Sequence, residues 1–189
     1  GQASLAGAAV RQVPKPGADD INATGGVNGY KIEMDILDDG TTVPTATDNT
    51  KQLILQDNVV ALSGSVTSGQ CQAETPISKQ NKVIYIAATC NSYQLTAEPD
   101  LVNPYYVSIV PNTFMEGTAA ANVVAKVGAK SIFIVSPKYL FGISATNAFV
   151  AGPKKAAPPA KTINAPAPGG VPPPTTPPRA PPRPPTPTP

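Results

Sequence analysis

Three short apolar runs constrain this chain more than any other feature. Val59-Val60-Ala61-Leu62, then Lys82-Val83-Ile84-Tyr85-Ile86-Ala87-Ala88, then Lys130-Ser131-Ile132-Phe133-Ile134-Val135 are each followed by a small polar turn and a helix-compatible stretch. Runs of this length, bounded by turn residues, suit strands buried on both faces. Two further strands are expected. Residues 30–37 alternate Ile32, Met34 and Ile36 before Asp38-Asp39-Gly40 stops them, and residues 105–110 sit between Pro104 and Pro111. Helices are expected over 45–57, 71–81 (bent at Pro76), 112–128 and 139–151. Asn112 or Thr113 caps the third, and Glu116 stands in its first turn. Near the N-terminus a small-residue helix over 2–10 runs into Pro14-Lys15-Pro16-Gly17, which is expected to end it, with a turn of helix restarting at 18–23. Strands alternating with helices at this spacing imply an α/β fold with a doubly wound, flavodoxin-like parallel sheet.

The turn after the first run is the most informative. Ser63-Gly64-Ser65-Val66-Thr67-Ser68-Gly69 leads from a strand into a helix N-terminus, where free N–H groups and hydroxyls can meet an anion. In open α/β sheets ligands sit at this end of the strands. The competing reading is that Thr67 or Ser68 only caps its helix.

Composition narrows the chemistry. The chain of 189 residues has no histidine, which removes general-base and triad chemistry of the common kind and histidine-containing metal sites. Its two cysteines cannot build a metal cluster. Cys71 and Cys90 read as small buried thiols, with a disulfide as the alternative in an oxidising compartment. No cofactor is expected, and no G-x-G-x-x-G fingerprint favours a flavodoxin-like enzyme. Asp38-Asp39 could suggest a metal or acid–base pair, but without a third ligand they read as a loop.

Net charge is +2, yet Lys154, Lys155, Lys161, Arg179 and Arg183 all lie after residue 152, so the body before them is acidic overall. Neither part argues for nucleic acid. No apolar run reaches the ~18 residues of a membrane span, and no charged-then-apolar leader opens the sequence. Residues 153–189 hold most of the chain's 24 prolines and almost no large apolar side chain. They are expected to form a disordered, extended, basic tail behind a body at 1–152. Arg179-Ala180-Pro181-Pro182-Arg183-Pro184-Pro185 fits an SH3-ligand pattern, although a spacer accounts for it as well.

Taken in order, GQASLAG, DINATGGVNGYKIEMDILDDG, NTKQLILQDNVVALSGSVTSG, IAAT, NPYYVSIVPN and GAKSIFIVSPKYLFG resemble the branched-chain amino acid-type solute-binding proteins, the type I periplasmic receptors of ABC transporters. The resemblance covers residue 1 to about 152. It implies a lobe that holds an amino acid and no metal, with a membrane permease as partner, no membrane insertion of its own and a periplasmic location. Carried over residue by residue, Thr67 and Ser68 would donate to the ligand carboxylate while Ser65 and Val66 line the cleft. Ala87 and Ala88 would offer backbone groups and Thr89 its hydroxyl or N–H, and the Phe141 ring would cover the ligand's side chain.

The sequence departs from that pattern in three places. A first strand expected ahead of GQASLAG is not in the chain, RQVPKPG interrupts the first helix, and the proline tail stands where a second lobe would follow. The resemblance is therefore to an incomplete N-terminal lobe, for which weak or no binding of free amino acid is expected. The alternative is a non-catalytic, truncated or rearranged product acting as a structural or interaction protein through its tail.

Overall fold

The computed structural model describes residues 14–152 and 160–165. Along the chain run α1 (Pro14–Ala23), α2 (Val43–Leu55), β1 (Ala61–Ser63), α3 (Ser68–Asn81), β2 (Ile84–Ala87), α4 (Gln94–Ala97), β3 (Tyr106–Ser108), α5 (Thr113–Lys126), β4 (Ile132–Pro137), α6 (Leu140–Ala151) and β5 (Ala160–Ala165). Pairing among these five strands is parallel, as the βα alternation requires. The strands divide into two sheets: β1, β2 and β3 side by side, and β4 with β5.

Local chemistry explains the helix boundaries. The Thr42 hydroxyl accepts from Thr45 N at 3.3 Å and Pro44 follows at the start of α2, where a missing N–H costs no helical bond. The Asn112 side chain accepts from Met115 N at 3.0 Å, and Glu116 and Lys126 sit at the ends of α5 that suit their charges. Lys82, left-handed at φ 57°, closes α3. That helix runs through Pro76, which is exposed.

Leu62, Tyr85 and Ala87 point to one side of the three-stranded sheet and pack with Ile54, Cys71, Cys90 and Leu95. This is the main core. The other side is open: Ala61, Ile84 and Val107 on it are exposed. The apolar run 59–62 is thus buried on one face only, because α2, α3 and α4 supply the apolar partners of that face.

Three expectations are corrected. Helix is already formed at 14–17 and does not wait for residue 18: Pro14 and Pro16 stand in the first turn of α1, where prolines forfeit no i→i−4 bond. The helix expected over 2–10 lies outside the described residues. Residues 31–39 form no strand: a strand needs a pairing neighbour, and among the described residues they belong to neither sheet. Two bonds between the Asn22 side chain and the Ile32 backbone, at 2.7 and 2.8 Å, and the Asn49 amide donating to the Asp38 carbonyl at 3.1 Å hold them, next to the Val27–Tyr30 bridge. Within 153–189, expected to be a tail, residues 160–165 form β5. This segment is free of proline, so its N–H groups are available for a ladder. The rest of that stretch lies outside the described residues.

Helices α5 and α6 pack through small residues. A methyl on Gly117 would stand 2.7 Å from both the Ala148 Cβ and the Phe149 backbone nitrogen, too close to persist without a shift. Gly117→Ala is expected to cost roughly 1–3 kcal/mol by overpacking. Gly17→Ala on α1, with nothing within 4 Å, should be neutral or stabilising by up to about 1 kcal/mol. Urea unfolding of the two variants checks the contrast.

Candidate functional site

β1 and β2 are parallel neighbours with Ser63 opposite Ile86, so both chains leave the sheet at the same end. Gly64 (φ 138°) and Ser65 (φ 46°) turn the first chain sharply, and Thr67 becomes the N-cap of α3. A non-glycine residue at positive φ is uncommon, so the turn is held by its surroundings. Those surroundings are the second loop. The Thr89 hydroxyl donates to the Ser65 carbonyl at 2.5 Å, and Ser92 N donates to Ser68 Oγ at 3.2 Å.

Cys71 and Cys90 are joined by a disulfide, with their Cα atoms 6.3 Å apart. This corrects the reading of two separate thiols. The cysteines are 19 residues apart in sequence, but one lies in the first turn of α3 and the other just after β2. Parallel pairing brings those positions within bridging distance. Constraining a loop of this size adds on the order of 3 kcal/mol.

The structure thus brings Ser65, Val66, Thr67, Ala88 and Thr89 together as half-buried residues around one sheet end. Ser68 and Ala87 lie deeper. Ser68 is 2% exposed, and Ala87 is enclosed in the core with its carbonyl accepting from Ile109 N at 3.1 Å. Phe141 stands on α6, against Tyr139 at a ring separation of 6.1 Å. That places it beside β4 and not on either loop.

The Thr67 hydroxyl and the Thr67 N–H both donate to Gln70 Oε1, at 2.9 and 3.0 Å. Thr67 therefore caps α3, the competing reading of this turn. The N–H groups of Ser68 and Gly69 have no intrahelical acceptor, as at any helix start, and remain the natural anion donors.

Beneath the turn lies a buried polar group that no local pattern in the sequence announces. Glu74, 3% exposed, receives the Ser65 hydroxyl at 2.6 Å on one oxygen and the Tyr85 hydroxyl at 2.5 Å on the other. Asp39 Oδ2 is 3.4 Å from Ser65 Oγ. Otherwise Asp38 and Asp39 close their own turn, accepting from Gly40 N at 2.8 Å and Thr41 N at 2.7 Å, as the loop reading expects.

Burial pushes the Glu74 carboxyl above its usual range. The Ser65 and Tyr85 hydrogen bonds oppose that shift, and the Asp39 charge adds to it. Burial, then the Glu74 charge, keeps the Tyr85 hydroxyl protonated far above its ordinary value. The same causes raise Tyr106 to about 12.

Among the described residues no group of three or more His, Cys, Asp or Glu could hold a metal ion, and no helix is long and apolar enough to cross a membrane.

A family model described as periplasmic binding protein matches residues 1–169. Among solved structures, a substrate-binding protein of an ABC transporter from Desulfitobacterium hafniense, in complex with leucine, is similar at 18% identity and TM-score 0.69. The match covers 79% of this chain and 44% of that one. A branched-chain amino acid transporter substrate-binding protein from Streptococcus pneumoniae, in complex with isoleucine, is similar at 24% identity and TM-score 0.68, covering 78% and 42%. A solute-binding protein of an ABC transporter from Rhodopseudomonas palustris, in complex with 3,4-dihydroxybenzoic acid, is similar at 23% identity and TM-score 0.67, covering 77% and 40%. The chain therefore spans less than half the length of these structures. No curated protein matches it.

Glu74 carries a linkage consequence. A carboxyl whose pKa is raised on folding favours the native state while protonated, and that contribution is lost as pH rises through the folded value. Glu74→Gln keeps the shape and removes the titration. Melting temperatures measured from pH 4 to 8 are expected to show wild type losing ground to Glu74→Gln as pH increases.

Proposed function

The chain belongs to the periplasmic binding protein family, and on that premise we propose that it captures an amino acid of the branched-chain type for an ABC importer. Residues 1–152 make up most of the solute-holding lobe. The partner is the importer's membrane permease, and the compartment is the periplasm. The protein binds and releases its solute without transforming it.

One observation carries this reading: the Thr89 hydroxyl donating to the Ser65 carbonyl, which sets the two loops side by side at one sheet end. A solute carboxylate would lie against the first-turn N–H groups of Ser68 and Gly69, with Val66, Thr67, Ala88 and Thr89 around it. Phe141, on the neighbouring helix α6, is the candidate to cover the solute's side chain. The disulfide and hydrogen bonds between the loops order this wall before any solute arrives, which lowers the ordering cost of binding.

Affinity of these 189 residues for free solute is weak. The loops touch a small ligand from one side, whereas working pockets bury most of a ligand's surface. A dissociation constant near millimolar corresponds to about −4 kcal/mol.

Thermal melts of the chain with and without ~10 mM leucine, isoleucine or valine test the proposal. At a dissociation constant of ~1 mM, stabilisation of about 1.4 kcal/mol is expected. Thr89→Val, which cuts the tie between the loops, should reduce that gain. A melt unmoved by any of the three solutes, with no change in backbone amide resonances of the two loops, would sink the reading.

A further inference from the structure

The two sulfurs of the Cys71–Cys90 disulfide lie among hydrogen-bond acceptors that a disulfide, having no hydrogen, does not use. Cys71 Sγ is 3.0 Å from Tyr85 Oη. Cys90 Sγ is 3.3 Å from the Thr67 carbonyl oxygen and 3.5 Å from that of Ser65. Carbonyl and phenolic oxygens can take a thiol hydrogen, and Tyr85 Oη keeps a lone pair for one whichever way its bond with Glu74 runs. Opening the disulfide therefore sets each new S–H beside an acceptor already in position. Both cysteines are buried, at 0% and 1% exposure, where a polar group needs such a partner.

The bridge also stands where opening it acts locally. It joins the first turn of α3 to the chain just after β2, and so crosses from one candidate contact loop to the other. Each side has its own anchors. Thr67 and Gln70 close the start of α3 between themselves, at 2.9 and 3.0 Å. On the far side the Tyr106 hydroxyl donates to the Cys90 carbonyl at 3.0 Å, and Thr113 N donates to the Asn91 carbonyl at 2.8 Å. Besides the sulfurs, the divide is crossed by the bonds from Thr89 to Ser65 and from Ser92 to Ser68. The first of these ends on Ser65, whose backbone is held at φ 46° and gains by relaxing.

We propose that Cys71 and Cys90 form a redox clasp on the solute wall. Oxidised, the pair holds the two loops together for the solute; reduced, it lets them part while the rest of the fold persists. This rests on the reading of the two loops as a solute site.

The reductant is a dithiol, which gives up two electrons and two protons and leaves as its own disulfide. The Cys71–Cys90 S–S bond breaks, and one proton ends on each sulfur. Acceptors waiting for those hydrogens stabilise the dithiol, and a stabilised reduced form makes the pair easier to reduce. An oxidising compartment keeps it closed. Binding and reduction are then reciprocal: opening the clasp weakens solute binding, and bound solute resists opening by the same factor.

The test equilibrates the 189-residue chain at graded ratios of reduced to oxidised dithiothreitol, with and without leucine, and follows backbone amide resonances. On reduction, resonances of residues 63–69 and 88–92 are expected to move, and those of β3, α5 and α6 to stay. With ~10 mM leucine and a dissociation constant of ~1 mM for the oxidised chain alone, the equilibrium constant for reduction should fall about tenfold, a shift of about 30 mV. Tyr85→Phe removes the acceptor beside Cys71 and deprives Glu74 of the same partner in both redox states. Without leucine, its equilibrium constant for reduction should be lower by a factor of about three or more. An equilibrium constant indifferent to leucine, while leucine moves loop resonances of the oxidised and the reduced chain alike, would overturn the clasp and leave the site standing. Collapse of resonances throughout the chain on reduction would overturn it too, since the bridge would then staple the whole fold. Neither comparison needs a variant to fold. An equilibrium constant unchanged in a folded Tyr85→Phe would refute the part given to the waiting acceptors. Loop resonances of the oxidised chain unmoved by leucine would remove the site, and the clasp with it.

Discussion

Parallel pairing of β1 with β2 is the constraint on which the rest of the site depends. Strands that run the same way leave their sheet at the same end, so two loops far apart in sequence arrive side by side. Everything built there uses that proximity: the disulfide between Cys71 and Cys90, the hydrogen bond from Thr89 to Ser65, and the bond from Ser92 to Ser68. These ties also hold the left-handed backbone of Ser65, which a free loop would relax.

The second consequence is electrostatic. Because α3 lies against the inner face of the sheet, its inward side meets Tyr85, and Glu74 is drawn into a space where a charge is poorly solvated. Two hydroxyl donors offset part of that cost, and the Asp39 charge adds to it. The same contacts that satisfy Glu74 engage the Ser65 hydroxyl, so a buried acid and a surface-facing group act as one unit. Gln70, one turn earlier on the same helix face, plays the corresponding part for Thr67.

Much of the architecture was legible because it is local. The helix over residues 113–126 follows from Asn112 as cap and Glu116 in the first turn, and β2 follows from its continuous apolar run. The candidate loops were legible as small, hydroxyl-rich turns after strands. What local reading missed has a common cause. Residues 31–39 carry a strand pattern without a pairing neighbour, and 160–165 lie in a proline-rich stretch yet find one in β4. Whether a segment is a strand depends on what lies beside it, which its own residues do not state. Pro14 and Pro16 mislead for a different reason, since the same residue that breaks a helix interior suits its first turn.

The sequence by itself determined the α/β class, the order of most elements, the helix caps and the position of the two turns, since each follows from side-chain pattern and backbone preference within a dozen residues. Tertiary structure alone decided that the strands fall into two sheets, that Cys71 meets Cys90, and that Glu74 lies buried beneath Ser65. These are contacts between residues brought together by strand pairing and helix packing. Their chemistry exists only once the chain has closed the distance.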